Sequence, residues 1–116
     1  MAKVTIYHNP RCSKSRQTLE MLRDQGIEPT IVEYLTTPPS AKDLQQILKM
    51  LGKTPREIMR KGETIYSELQ LDNLQLTDKQ LLQALVEYPI LIERPIVIAN
   101  HQAVIGRPPE NILEIL

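Results

Sequence analysis

Short runs rich in β-branched residues stand near both ends of the chain, and between them apolar residues recur three and four apart. The pattern therefore places strands at the ends and helices in the middle. Val4 and Ile6 alternate with Thr5 and Tyr7, and Asn9-Pro10 closes that run with a turn signal. Beyond Cys12, Ser15 is placed to cap a helix whose apolar side carries Leu19 and Leu22, and Gly26 stands where a left-handed stop belongs. Thr30 to Leu35, with Ile31, Val32 and Tyr34 between Pro29 and Pro38-Pro39, reads as a second short strand. The opening is thus β-α-β, which predicts two parallel strands in one sheet joined by a right-handed crossover.

From Ser40 the spacing is helical. Ser40 caps a run carrying Leu44, Ile47, Leu48 and Leu51 on one face, ended by Gly52. Thr54-Pro55-Arg56-Glu57 unites a threonine cap, a proline at the first helical position and a glutamate three residues after the cap, so another helix starts there. Ile65 to Leu71 reads as a third short helix, and Thr77-Asp78-Lys79-Gln80 is a second capping box leading into Leu81, Leu82, Leu85 and Val86. Residues 40 to 88 form a helical block, read as an insertion within one domain. Strands then return: Pro95-Ile96-Val97-Ile98 and Ala103-Val104-Ile105 flank Asn100-His101, a tight hairpin turn. Pro108-Pro109-Glu110 opens a terminal helix carrying Ile112, Leu113 and Leu116.

Composition narrows the function classes. A chain of 116 residues fits a single domain that buries a core without disulfides or metal. Fourteen basic residues balance fourteen acidic ones, which argues against broad attraction to nucleic acid or anionic membrane. No apolar run approaches the ~18 residues of a membrane span, and the amino end has no signal-peptide core. One cysteine cannot close an internal disulfide, and with two histidines it falls short of a four-ligand zinc site. A lone thiol suits a reducing cytosol, so the expectation is a cytoplasmic protein without a metal.

That thiol has a distinctive setting. In Tyr7-His8-Asn9-Pro10-Arg11-Cys12-Ser13-Lys14-Ser15-Arg16 the cysteine lies between a strand end and a helix start, where unpaired N–H groups and the macrodipole favour a thiolate. The first nineteen residues hold Lys3, Arg11, Lys14 and Arg16 and no acid, so the local field acts in the same direction. His8, at the strand end, can reach the thiol or its loop. A solitary cysteine is more often a small buried hydrophobe than a nucleophile, but Arg, Ser, Lys and Ser are poor company for a core position. Cys12-x-x-Ser15 is the dithiol motif of thioredoxin-like proteins with serine in place of the second cysteine. Any adduct on Cys12 must then be released by an external thiol, a partner protein or water.

Three arginines stand out by position. Arg60 follows the Thr54 cap, Arg94 precedes Pro95, and Arg107 precedes Pro108-Pro109, so the last two are extended at strand ends. In thioredoxin-like folds a strand that begins with cis-proline faces the active-site cysteine. Pro95 is the candidate for that role, which would bring Arg94 beside Cys12. Guanidinium forks gathered at a helix start would bind a tetrahedral oxyanion. The plainer alternative makes each arginine a surface salt-bridge residue, with Glu93 the ready partner of Arg94.

Taken together, Tyr7 to Arg16, Glu33-Tyr34-Leu35-Thr36-Thr37-Pro38-Pro39, Pro89-Ile90-Leu91-Ile92-Glu93-Arg94-Pro95 and Gly106-Arg107-Pro108-Pro109-Glu110 resemble the ArsC-type, glutaredoxin-dependent arsenate reductases over essentially the whole chain, closest to the short YfgD-like branch. The resemblance implies a thioredoxin-like (glutaredoxin-like) α/β fold with a mixed β-sheet and the helical insert at about 40–88. It implies Cys12 as the nucleophile attacking arsenate, His8 and Ser15 as its support, and Arg60, Arg94 and Arg107 as the oxyanion-binding trio. It also implies glutathione as co-substrate and glutaredoxin as protein partner, with no bound cofactor. Typical members read Cys-Gly-Thr-Ser-Arg, where this chain has Cys12-Ser13-Lys14-Ser15-Arg16. Two other functions suit the same scaffold: an Spx-like transcription regulator that binds RNA polymerase, and a thiol oxidoreductase acting on another oxyanion or a glutathione-linked substrate.

Overall fold

Strand β1 (Thr5–His8) runs through the middle of a four-stranded sheet and ends directly at the cysteine loop. The computed structural model describes residues 3–116, and contacts divide the chain into two compact units, one of residues up to Thr37 together with Arg94–Leu116, the other Pro38–Glu93.

The first unit contains the sheet. Helix α1 (Ser13–Asp24) follows β1, and strand β2 (Thr30–Glu33) then pairs parallel with it, Thr5 opposite Thr30 and His8 opposite Glu33. Strands β3 (Ile96–Ala99) and β4 (Gln102–Ile105) are antiparallel, β3 to β1 and β4 to β3, so the sheet is mixed in the order β2-β1-β3-β4. The hairpin between them turns on Asn100 and His101, both at positive φ (53° and 62°), the geometry a two-residue turn needs to match the twist of its strands. Gly26 (φ 77°) ends α1 as expected.

Three expectations for this unit shift. Ser15 does not cap α1: the helix starts at Ser13 with Cys12 as N-cap, because the Cys12 carbonyl already accepts from the Arg16 N–H at 3.0 Å. Strand β2 stops at Glu33 rather than Leu35, since the Glu33 carbonyl takes the N–H groups of both Thr36 and Thr37 and turns the chain. The terminal helix is a 3₁₀ turn (Pro109–Glu114), and its three-residue period buries Pro109, Ile112 and Ile115 while Leu113 and Leu116 remain exposed.

The core of this unit joins Val4 and Ile6 of the β1 segment, Leu19 and Leu22 of α1, Val97 and Ala99 of β3, and Ile112 and Ile115 of the last turn. Ile6, Leu22, Val97 and Ile112 are wholly buried, each worth about 1.5–3 kcal/mol in apolar transfer. β2 is the open edge, with Thr30, Ile31 and Glu33 exposed.

The second unit is helical: α2 (Ala41–Leu51), a 3₁₀ turn at Pro55–Ile58, α3 (Thr64–Glu68), α4 (Asp78–Glu87) and a 3₁₀ turn at Pro89–Leu91. Ser40 Oγ accepts from Asp43 N–H at the start of α2, and Thr77 and Gln80 form the capping box of α4. Gly52, at φ 67°, ends α2. The cap at Thr54 forms as read, its N–H donating to Glu57 Oε1 at 2.9 Å, but it starts a single 3₁₀ turn instead of a full helix. The unit reaches Glu93, five residues past the expected end of the helical block. Among the described residues, no helix is long and apolar enough to cross a membrane.

One close approach ties α1 to the strand ends. A Cβ on Gly106 would lie 2.7 Å from Thr18 Oγ1 and 3.0 Å from Pro95 Cγ, so no side chain fits there without displacement. Gly106→Ala is expected to destabilise by ~1–3 kcal/mol in urea denaturation. Thr18→Ala, which removes both Thr18 atoms that the new methyl would meet, should recover part of that loss in the double variant. A Gly106→Ala midpoint equal to wild type would contradict the packing described here.

Candidate active site

Cys12 lies where Asn9-Pro10 ends β1 and α1 begins. The Asn9 carbonyl accepts the Cys12 N–H at 3.0 Å and Asn9 Oδ1 accepts the Arg11 N–H at 3.0 Å, so this one asparagine shapes the loop from both sides of its peptide. Sequence reading took Asn9 only as a turn former; its burial shows the second role. Cys12 is 8% exposed and is the N-cap of α1.

Two of the three expected arginines meet the sulfur. Arg107 Nη2 donates to Cys12 Sγ at 3.4 Å, and its Nε donates to the Arg94 carbonyl at 2.7 Å. The Arg94 guanidinium also hydrogen-bonds the thiol. The Arg94-Pro95 and Arg107-Pro108 bonds are both cis, and Pro95 is buried beside Gly106. Burial pushes the Cys12 thiol up, but the N–H groups of Ser15 and Lys14 and the guanidinium of Arg94 bond the sulfur, and the charge of Arg107 adds to them. The result is a pKa held below the ordinary thiol value.

His8 and Ser15 lie one layer behind the sulfur. Ser15, with no exposed surface, places its hydroxyl 2.6 Å from His8 Nδ1 and accepts the Asn9 N–H at 3.0 Å. His8 therefore touches the residue whose N–H faces the sulfur, and its hydrogen bond is to Ser15 rather than to the thiol. Burial lowers the His8 pKa; Glu33, its partner across the strands, opposes this, while Arg16 and Arg23 add to it. His8 also lines a cavity of about 600 Å³ with Glu33, Thr36 and Thr37, to which Cys12 contributes nothing; the thiol stands at the helix start instead.

Arg60 belongs to the helical unit. Met59 and Ile92 form an antiparallel bridge there, Arg60 N–H donating to the Leu91 carbonyl and Glu93 N–H to the Ile58 carbonyl, which sets Arg60 beside Glu93. Arg60 Nη1 donates to Glu93 Oε1 at 2.8 Å, and Glu63 lies 3.8 Å away. Glu93, the ready partner for Arg94 in sequence, thus pairs with Arg60. Among the described residues, no three His, Cys, Asp or Glu side chains gather as metal ligands would.

The ArsC family model matches residues 7–115. The chain belongs to the ArsC family. It is 54% identical to the YfgD protein of Escherichia coli K12 over 98% of this chain and 97% of that one. It is 52% identical to an arsenate reductase of Haemophilus influenzae, over 97% and 98%. A solved arsenate reductase from Vibrio cholerae, 52% identical, superposes with a TM-score of 0.96 over 98% of both chains. The resemblance read from the motifs is borne out, and so is the fold: the mixed four-stranded sheet is that of the thioredoxin-like ArsC proteins.

Two titrations test this geometry. The pH midpoint of Cys12 alkylation by iodoacetamide should lie below the ordinary ~8.5, and Arg94→Ala and Arg107→Ala should each raise it; a wild-type midpoint at the ordinary value would overturn the activated thiolate. For His8 the folded value is depressed, so the unfolded chain takes the proton first. Its stabilising contribution is complete above ~6.5 and is lost as pH falls through the lowered folded value. Urea midpoints at successive pH values should fall less steeply in His8→Asn than in wild type over that window.

Proposed function

We propose that the protein reduces arsenate to arsenite, with Cys12 as nucleophile and an external thiol as the second reductant. The observation that carries this reading is the convergence of Arg94, Arg107 and the start of α1 on one sulfur whose thiolate form is favoured. The relatives that are arsenate reductases support it. The thiolate attacks arsenic(V), forming a sulfur–arsenic bond, and an arsenic oxygen leaves as water after protonation. A second thiol then attacks the sulfur of the adduct, a disulfide forms, and the electron pair of the sulfur–arsenic bond reduces arsenic to the trivalent state. Overall, arsenate and two thiols give arsenite, a disulfide and water.

The chain has one cysteine, so the second thiol must come from elsewhere. Glutathione fits as that co-substrate, and glutaredoxin as the protein that removes the mixed disulfide; a reducing compartment such as the cytoplasm would supply both. Arg94 and Arg107 bind the oxyanion and offset charge on it, and Arg60 is assigned to the same task on the family resemblance. His8 and Ser15 support the thiolate. Lys14, exposed in the first turn of α1, adds positive charge where typical members have a neutral residue.

The decisive assay couples arsenate reduction to glutathione and glutaredoxin. Wild type should turn over; Cys12→Ser should abolish turnover, and Arg94→Ala should lower it ~10²–10³-fold, as loss of an oxyanion donor does. Retention of activity by Cys12→Ser would overturn the mechanism. Turnover of another oxyanion in place of arsenate, or binding of RNA polymerase without turnover, would assign the scaffold to another function.

A further inference from the structure

Arg107 is exposed and long, yet its tip meets a buried sulfur, and the backbone beneath it is what aims it. Residues 105–107 turn sharply, the Arg107 N–H donating to the Ile105 carbonyl at 2.9 Å. The Asn111 side chain reaches back to this turn. Its Nδ2 donates to the Arg107 carbonyl at 3.0 Å and to the Ile105 carbonyl at 3.2 Å, using both hydrogens of one amide. From the other side, the wholly buried Thr18 hydroxyl donates to the Lys14 carbonyl at 2.8 Å and lies 3.4 Å from the Gly106 carbonyl. The Gly106 N–H, in turn, donates to the Pro95 carbonyl at 2.9 Å.

All three carbonyls of the turn are therefore engaged by Asn111, Thr18 or the turn itself. Simple helix capping would have Asn111 accept a backbone N–H with its side-chain oxygen. Here the side-chain amide donates instead, and to carbonyls that flank the arginine. Thr18 could equally be a threonine bonded back to its own helix, but its second contact falls on the residue before Arg107.

The geometry points to Asn111 and Thr18 as positioning residues of the thiol site: they fix the 105–107 turn so that Arg107 Nη2 stands at the Cys12 sulfur. The inference concerns the thiolate itself and holds whatever oxyanion the protein takes. Loosening the turn leaves Arg107 present but unaimed, so the sulfur loses part of what deleting the arginine would remove.

The test is the pH dependence of Cys12 alkylation in Asn111→Ala, Thr18→Val and Thr18→Ser, each alone and combined with Arg107→Ala. Asn111→Ala and Thr18→Val should raise the midpoint by part of the Arg107→Ala shift, ~0.3 pH unit or more, which is about a twofold loss of thiolate well below the midpoint. Thr18→Ser, which keeps the hydroxyl, should stay near wild type. In the Arg107→Ala background neither residue should matter further. An unchanged midpoint in Asn111→Ala, or an equal increment with and without Arg107, would overturn the proposal. Asn111 is only half-buried, so its variant carries the test even if Thr18→Val fails to fold.

Discussion

The thiolate at Cys12 depends on where α1 begins. A helix offers free N–H groups only in its first turn, so a sulfur gains from them only as the residue that closes that turn. Starting the helix one turn earlier would place Cys12 inside the ladder and spend those donors on carbonyls. Asn9 and Ser15 prevent this. Asn9 bends the loop with its carbonyl and its side chain, and Ser15 ties the first turn back to the end of β1. Burial works against the charged sulfur, and the Ser15 and Lys14 N–H groups with the two arginines outweigh it. Their sum explains why a buried cysteine nonetheless has its thiolate form favoured.

Local chemistry made much of the fold legible. Caps at Ser40 and Thr77, stops at Gly26 and Gly52, and the Asn100-His101 turn are all decided by a few neighbouring residues, and each lies where reading predicts. Where the outcome depends on the partner rather than the segment, reading falls short. The Thr54 box is genuine, yet its helix ends after one turn as Met59 pairs with Ile92, thirty-odd residues away. Pro109 to Leu116 has an apolar content that suits either an α-helix or a 3₁₀ turn, and only the packing against α1 and β4 selects the tighter period.

The same division applies to the site. Cys12, Arg94 and Arg107 could be named because a helix start and two arginine-proline pairs are visible in sequence. Asn111 and Thr18 could not, since an asparagine in an amphipathic turn and a threonine in a helix carry no mark of the distant carbonyls they meet. Glu93 shows a different limit: adjacency marks it as a ready partner for Arg94, while nothing local marks Arg60, thirty-odd residues earlier, as the guanidinium its carboxylate bonds.

The open edge of the sheet has a consequence for the protein in solution. Among the described residues β2 is an edge strand of the sheet, with Ile31 exposed on it, the kind of border on which another strand can grow. It is only four residues long, follows Pro29, and ends at Glu33 where the chain turns away. A foreign strand laid along it would find few bonds before meeting a carboxylate and a bend, so its brevity limits what can pair there.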